Sequence, residues 1–311
     1  MTITIQPSSK TQRGSALIAV FWLIAILSMI MLVGVRLLET DTNISRVNRA
    51  RIYAQRFAEA GLAVGRHPMM TLDDPLLHRA VGNGGGYDVT IRSEEARLNI
   101  NVLLQNPDHT LPKRLFTSWG MKLDEVSALV DALKDWVDAD DLTSLNGAEK
   151  REYEKEGFDG MPFNRPFKDL DEMSLVRGME RIQELRPDWR DWLTVHGDGH
   201  VDVNDARPEI IALLANVPIE RLAPLLEFRR GPDGLPDTMD DRRLSSVPQL
   251  AQLVGAFQPN VVQQLTQWVR FDGVIRRIES VGKMGGLSRK LVLITQGNQV
   301  LWRGEVPSHE E

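Results

Sequence analysis

The chain has 311 residues and a mass of 35.0 kDa, enough for one large domain or two ordinary ones. An apolar content of 42% with 26% charged residues excludes a disordered or collagenous chain, and a net charge of −6 with a pI near 5.6 argues against a dedicated nucleic-acid binder. Cysteine is absent, which excludes disulfides, Cys-ligated zinc, iron–sulfur clusters and thiol catalysis.

Ser15 to Val35 is a run of 21 uncharged residues, long enough to cross a bilayer and longer than the apolar part of a secretory signal. Lys10 and Arg13 precede it with no acid, so the positive-inside rule puts residues 1–14 in the cytoplasm and the rest outside. The alternative is a buried core helix, but such helices rarely lack polar residues all round for so long. No proline lies between Pro7 and Pro68. Ala50, Ala54, Ala58, Gly61 and Gly65 fall three and four apart and make one small-residue face. The spacing predicts one helix over 15–65, about 75 Å long at ~1.5 Å per residue, apolar all round in its first half and amphipathic in its second. An anchor followed by a separate first helix is the other reading.

Further on, Tyr87–Arg92 alternates as a half-buried strand, and Leu98–Val102 is a second short alternating run. Val274–Val281, Leu291–Thr295 and Val300–Glu305 read as strands that close the chain, with Gly285-Gly286 and Gln296-Gly297-Asn298 as turns. Between Gln105 and Arg270 the pattern is helical. Leu123, Val126, Leu129, Val130, Leu133, Trp136 and Val137 hold helical spacing, as do Leu222, Leu225, Leu226 and Phe228, and Val247, Leu250 and Leu253. The expected plan is α+β, a long helix on an antiparallel meander. A helical insertion of about 165 residues interrupts it.

The insertion repeats itself weakly: Leu98-Asn99-Ile100-Asn101 recurs as Val201-Asp202-Val203-Asn204. The second copy is similar to sequences that open helix–hairpin–helix or SAM-like modules. Its hairpin, Leu214–Glu220, has no glycine, no Lys or Arg and one acid, so phosphate binding, and with it nucleic acid as a partner, is not expected.

Asp135-Trp136-Val137-Asp138-Ala139-Asp140-Asp141 ends the helix 123–137, and Asn146-Gly147-Ala148-Glu149 follows. Several carboxylates on one loop suit a hard cation such as Ca²⁺, which takes six to eight oxygens. Asp138, Asp140 and Glu149 fall at positions 1, 3 and 12 of an EF-hand loop, but Leu142 and Thr143 stand where Asp or Asn and Gly should be. The alternative is a solvated acidic turn. A second acidic loop holds Asp233, Asp237, Asp240 and Asp241, and a third holds Asp198, Asp202 and Asp205, both more loosely spaced. No HExxH, GxSxG, Walker A or GxGxxG motif occurs, so no catalytic residue is assigned and an enzyme is not expected.

Arg13-Gly14-Ser15-Ala16-Leu17-Ile18 resembles a type IV prepilin processing site, a short basic leader ending in Gly before a long apolar helix. The resemblance implies cleavage by prepilin peptidase between Gly14 and Ser15 and N-methylation of Ser15. Pilins usually carry Glu at the fifth mature position, where this chain has Ala19. That absence, the large insertion and the segment Asp138–Glu149 are similar to the K-type minor pseudopilins of type II secretion systems. The likeness implies a pilin-like α+β fold with SAM-like or helix–hairpin–helix-like repeats in the insertion. It implies a leader at 1–14, a transmembrane segment at 15–38, a pseudopilin domain at 39–104 and 271–311, and an inserted helical domain at 105–270. It further implies calcium on Asp138, Asp140, Asp141 and Glu149. The implied place is the inner membrane, single-pass, with the C-terminal domain in the periplasm. The implied role is structural, at the tip of the pseudopilus with the I- and J-type minor pseudopilins, helping to start assembly and export. The alternatives are a minor pilin of a type IV pilus, a membrane-anchored periplasmic calcium-dependent enzyme, and a DNA-uptake receptor.

Overall fold

A computed structural model describes residues 15–306 apart from 72, 73, 83, 237 and 239; within its first helix the side chains of 15, 16 and 34–45 are also outside the description. The leader and Gly14 therefore lie outside the described residues, and Ser15 is the first residue of the helix α1 (Ser15–Gly65). The absence of proline lets α1 run unbroken for 51 residues. Its two halves meet different surroundings. Side chains 17–33 are exposed on every face, among them Phe21 and Trp22 at 67% each. Ala54 and Ala58 are fully buried, and Gly61, Leu62 and Gly65 are buried with them. Among the described residues no helix is long and apolar enough to cross a membrane.

The small face of α1 rests on a five-stranded antiparallel sheet. β1 (His78–Val81) and β2 (Gly85–Ser93) follow the helix, and β7 (Ile275–Met284), β8 (Leu287–Gln296) and β9 (Gln299–Val306) end the described chain. The strand order is β1-β2-β7-β8-β9, with Ile91 opposite Ile278 and Ile278 opposite Leu293. Tyr87, Val89, Ile91, Ile278, Leu291 and Leu293 form the core beneath Ala58 and Leu62. Contact is close enough to demand glycine. A Cβ on Gly282 would stand 1.9 Å from the Ala54 carbonyl oxygen, and one on Gly61 would stand 2.2 Å from Ser280 Oγ.

The insertion enters between β2 and β7. Its first half runs β3 (Leu98–Asn99), α2 (Ile100–Gln105), α3 (Thr110–Ser118), α4 (Leu123–Val137), α5 (Lys150–Lys155), α6 (Met179–Leu185) and β4 (Leu193–Thr194). Its second half runs β5 (Val201–Asp202), α7 (Pro208–Ala215), α8 (Ala223–Arg229), α9 (Val247–Val254), α10 (Pro259–Trp268) and β6 (Val269–Arg270). One strip of core, from Leu98 through Trp136 and Trp189 to Leu265, joins the two halves. The run Leu98–Val102 is a strand for two residues only. Asn99 then accepts from the Val102 N–H and caps α2, so a local side-chain bond overrides the alternation.

The repeated tetrapeptide has matching roles. β3 pairs in parallel with β4, and β5 pairs in parallel with β6. Asn101 Nδ2 donates to the Phe167 carbonyl at 2.9 Å while its Oδ1 accepts from the Phe167 N–H at 2.8 Å. Asn204 does the same to Leu244, at 3.0 and 2.7 Å, and also donates to the Phe271 carbonyl at 2.8 Å. Two adjacent glutamates, both 2% exposed, tie the insertion to the sheet. Glu94 accepts from Thr194 Oγ1 at 2.6 Å and pairs with Arg97 and Arg277. Glu95 pairs with Arg270 and accepts the N–H groups of Val274 and Ile275 at 2.6 and 3.0 Å, so it sets the start of β7.

Candidate functional site

Helix α4 delivers the first acidic loop. Val126, Leu129, Val130, Leu133 and Trp136 bury one stripe, while Leu123 stays 74% exposed. Glu125 accepts from the Lys122 N–H at 3.1 Å and holds the start of the helix. The helix ends at Asp138, and the loop folds back over its last turn. Asp135 is fully buried there, and its Oδ2 accepts from the Ser144 N–H at 2.9 Å. The backbone comes so close that a Cβ on Gly147 would stand 1.9 Å from that oxygen. Lys134 Nζ lies 3.9 Å from Asp138 Oδ2. Glu149, 2% exposed, opens α5 and donates its N–H to Glu152.

Buried oxygens without hydrogen-bond partners mark this loop. They are Asp135 Oδ1, Asp138 Oδ1, both carboxylate oxygens of Glu149 and Asn164 Oδ1. Desolvated carboxylates this close resist ionisation. Burial, followed by the charges of Asp135, Asp138 and Asp141, pushes Glu149 up to about 7. Burial also raises Asp138, helped by Asp140 and Asp135, and burial raises Asp135. Asp140 and Asp141 stand further out. Asp140 Oδ1 accepts from the Leu142 N–H at 2.8 Å, and Asp141 Oδ1 accepts from Asn164 Nδ2 at 3.0 Å. Of the four carboxylates named from the sequence, the structure thus buries Glu149, half-buries Asp138 and leaves Asp140 and Asp141 at the rim. It adds Asp135 and Asn164. Asp135 carried a signal, an acid among the buried positions Ala132, Leu133 and Trp136, whereas Asn164 reaches the loop from about twenty residues away and carried none. Among the described residues no three of the His, Asp and Glu groups converge closely enough to hold a metal ion.

The other acidic loops differ. Asp202, 1% exposed, accepts the N–H groups of Asn204 and Gly273 and lies 3.8 Å from Arg243, so a cation already faces it. Asp240 accepts from the Asp233 N–H at 2.9 Å and from Thr238 Oγ1 at 2.7 Å. Asp233 accepts from the Leu235 N–H, and Asp237 lies outside the described residues. The hairpin after α7 turns on Asn216 at φ 52°, which does the work usually left to glycine.

A long helix on an antiparallel sheet, with a helical domain let into the sheet connection, defines the pilin-like class with a large insertion. Residues 96–195 match the family model described as type II secretion system (T2SS), protein K. The chain is 28% identical over 237 residues to type II secretion system protein K of Pseudomonas aeruginosa, covering 67% of this chain and 69% of that protein. It is 32% identical over 146 residues to the protein of the same name from Klebsiella pneumoniae, covering 43% and 44%. The crystal structure of the GspK-GspI-GspJ complex from the enterotoxigenic Escherichia coli type 2 secretion system contains a chain of like fold. The TM-score is 0.60 at 16% identity, over 87% of this chain and 99% of that one. The chain is thus similar to the K proteins of type II secretion systems, most directly over residues 96–195.

Proposed function

We propose that this chain is the structural subunit at the tip of a short periplasmic pseudopilus, helping to start its assembly and so protein export across the outer membrane. The observation that carries the reading is the insertion. It adds a second core to a sheet already covered by α1, and another headgroup could not easily stack above such bulk. Ala19 in place of the usual Glu removes a charge that a stacked neighbour would pair. In this reading the apolar run Ser15–Val35, about 31 Å at ~1.5 Å per residue, anchors the chain in the inner membrane with its C-terminal part in the periplasm. The chain named GspK in the solved complex is bound to GspI and GspJ. By analogy I- and J-type pseudopilins are the partners here, meeting the exposed side of α1 around Ile52 and Tyr53. The full chain, co-expressed with both partners and extracted in mild detergent, should elute with them as one complex. Separate elution of all three at tens of micromolar overturns the reading.

Processing after Gly14 by prepilin peptidase, with methylation of Ser15, belongs to the same proposal and rests on Lys10, Arg13 and Gly14 before the apolar run. Losing Lys10 and Arg13 takes the net charge from −6 to −8, and intact mass from a host with the peptidase reads the cut directly. Calcium is the proposed ion of the first acidic loop. Supporting it are the all-oxygen donor set and the buried, unpartnered oxygens of Asp135, Asp138 and Glu149, with Asp140 and Asp141 at the rim. A bound cation would neutralise charge that burial and mutual repulsion disfavour.

A further inference from the structure

A cavity of about 710 Å³ lies between the sheet and the second half of the insertion. Six arginines line it, Arg92, Arg229, Arg230, Arg242, Arg243 and Arg276, against Asp202, Asp205 and Asp241 among the described residues. The chain as a whole is acidic, so this is a local inversion of its field. A second cavity of about 350 Å³ shares Arg92, Ser93, Asp205, Pro208 and Arg229 with the first and extends the furrow towards Arg207 and Lys290. Several of these cations are already engaged: Arg243 sits 3.8 Å from Asp202 and from Asp205, and Arg229 Nη1 donates to the Ala206 carbonyl. Arg230 and Arg242 are exposed at the mouth, and among the described residues neither side chain has a hydrogen bond or ion pair, Arg242 resting over the ring of Phe228. Between the cations the walls are aliphatic, with Met70, Ile91, Pro208, Leu226 and Ile275.

We propose that this furrow docks an acidic, extended segment of a partner polypeptide. Arginine forks pair bidentately with carboxylates, and exposed guanidiniums with no acid of their own gain most from such pairing. The aliphatic stretches suit the apolar side chains that alternate with carboxylates along an extended chain. Single-stranded nucleic acid is held by aromatic rings on which bases stack, and no Phe, Tyr, Trp or His lines either cavity among the described residues.

The test uses the full chain in a non-ionic detergent and a fluorescein-labelled ten-residue peptide of alternating Glu and Leu. Fluorescence anisotropy should show saturable binding, at least about tenfold tighter than for the Gln–Leu peptide and weakening as salt rises. Arg230→Glu with Arg242→Glu should raise Kd at least about tenfold without lowering the melting temperature, whereas Lys113→Glu, which lines neither cavity, should leave it unchanged. Should the charge reversal disturb folding, Arg230→Gln with Arg242→Gln should still raise Kd about threefold or more. Equal affinity for the Gln peptide, or binding indifferent to both double substitutions, overturns the proposal. So does a labelled oligo-dT that displaces the peptide and binds more tightly, which would assign the furrow to nucleic acid.

Discussion

In each half of the insertion an asparagine folds its amide against one backbone unit of a distant loop, Asn101 on Phe167 and Asn204 on Leu244, and a short parallel strand pair closes the unit. The acidic loops carried on these related frames have opposite electrostatics. In the first half Asp135, Asp138 and Glu149 are pressed into the protein, lack partners for four of their oxygens, and all resist ionisation. In the second half Asp233 is exposed and Asp240 half-buried, both accept from backbone or threonine donors, and Asp240 ionises more readily than usual. Two loops with similar acidic composition thus differ by where the frame puts them. Carboxylate count alone says nothing about whether a loop stores unfavourable charge.

The shared frame is broken most severely at its asparagines. Asn204→Ala removes three hydrogen bonds and strands backbone groups of Leu244 and Phe271, at a cost of about 3 kcal/mol or more. Asn101→Ala removes two bonds at a half-buried site and should cost about 2 kcal/mol. Chemical denaturation of the two variants reads the difference. Equal losses would mean that the Phe271 bond contributes nothing and that the two frames are energetically alike.

Glu149 sharpens the electrostatic half of the comparison. Its folded-state pKa, about 7, lies above the ordinary 4.5. The folded state therefore holds its proton where the unfolded state has lost it, and stability falls as pH rises from about 4.5 to about 7. The penalty is complete above 7 and amounts to roughly 2 to 3 kcal/mol. Glu149→Gln should stabilise the chain by up to that amount at pH 8 in the presence of a chelator, and by little at pH 4.5. A variant that melts like wild type at both pH values would show that the loop relaxes when Glu149 ionises.

Much of this architecture is legible in the residues. The missing proline and the small-residue face give α1 to its last residue, and alternation gives β2, β7, β8 and β9 to within a few positions. The stripe from Leu123 to Val137 gives α4 to its ends. β1 carries only His78-Arg79-Ala80-Val81, exposed throughout, so it has no pattern to read and exists because β2 offers an edge. The acidic site was legible as composition. Its division into a buried set and a rim was not, because the burial of Asp135 and Glu149 depends on the approach of Gly147 and on a loop that brings Asn164 from another part of the chain.

Calcium offers the next contrast. An ion that binds only the folded state stabilises it by RT ln(1 + [L]/Kd), about 2.7 kcal/mol at a hundredfold excess over Kd. Calcium should raise the melting temperature of the full chain in detergent, and magnesium should do so less, since it keeps its waters and requires octahedral geometry. Asp138→Ala with Glu149→Ala should abolish most of the shift, while Asp233→Ala with Asp240→Ala should preserve it. Because the ion must displace the proton on Glu149, the shift should be smaller at pH 6 than at pH 8. A shift removed by the second pair alone would move the ion to the other half, and no shift at millimolar calcium would leave the first loop as a strained acidic turn.

The smallest effect belongs to Asp240, and it tests whether the second loop is as relaxed as its hydrogen bonds indicate. Bonds from Thr238 and from the Asp233 N–H hold its pKa below the ordinary 3.8. A depressed carboxylate contributes stability above its unfolded pKa and loses that contribution as pH falls through the folded value. Its window therefore lies below about pH 4, entirely under that of Glu149. Asp240→Asn should lower the melting temperature by a small, constant amount from pH 5 to pH 8, where wild type and variant keep the same slope because Asp240 stays ionised throughout. The difference should narrow on acidification, as wild type loses the contribution of Asp240 and the variant has none to lose. If Asp240→Asn instead changes the slope between pH 5 and 7, the two loops are coupled through the shared core of the insertion, and the contrast between them is one cooperative property of the domain.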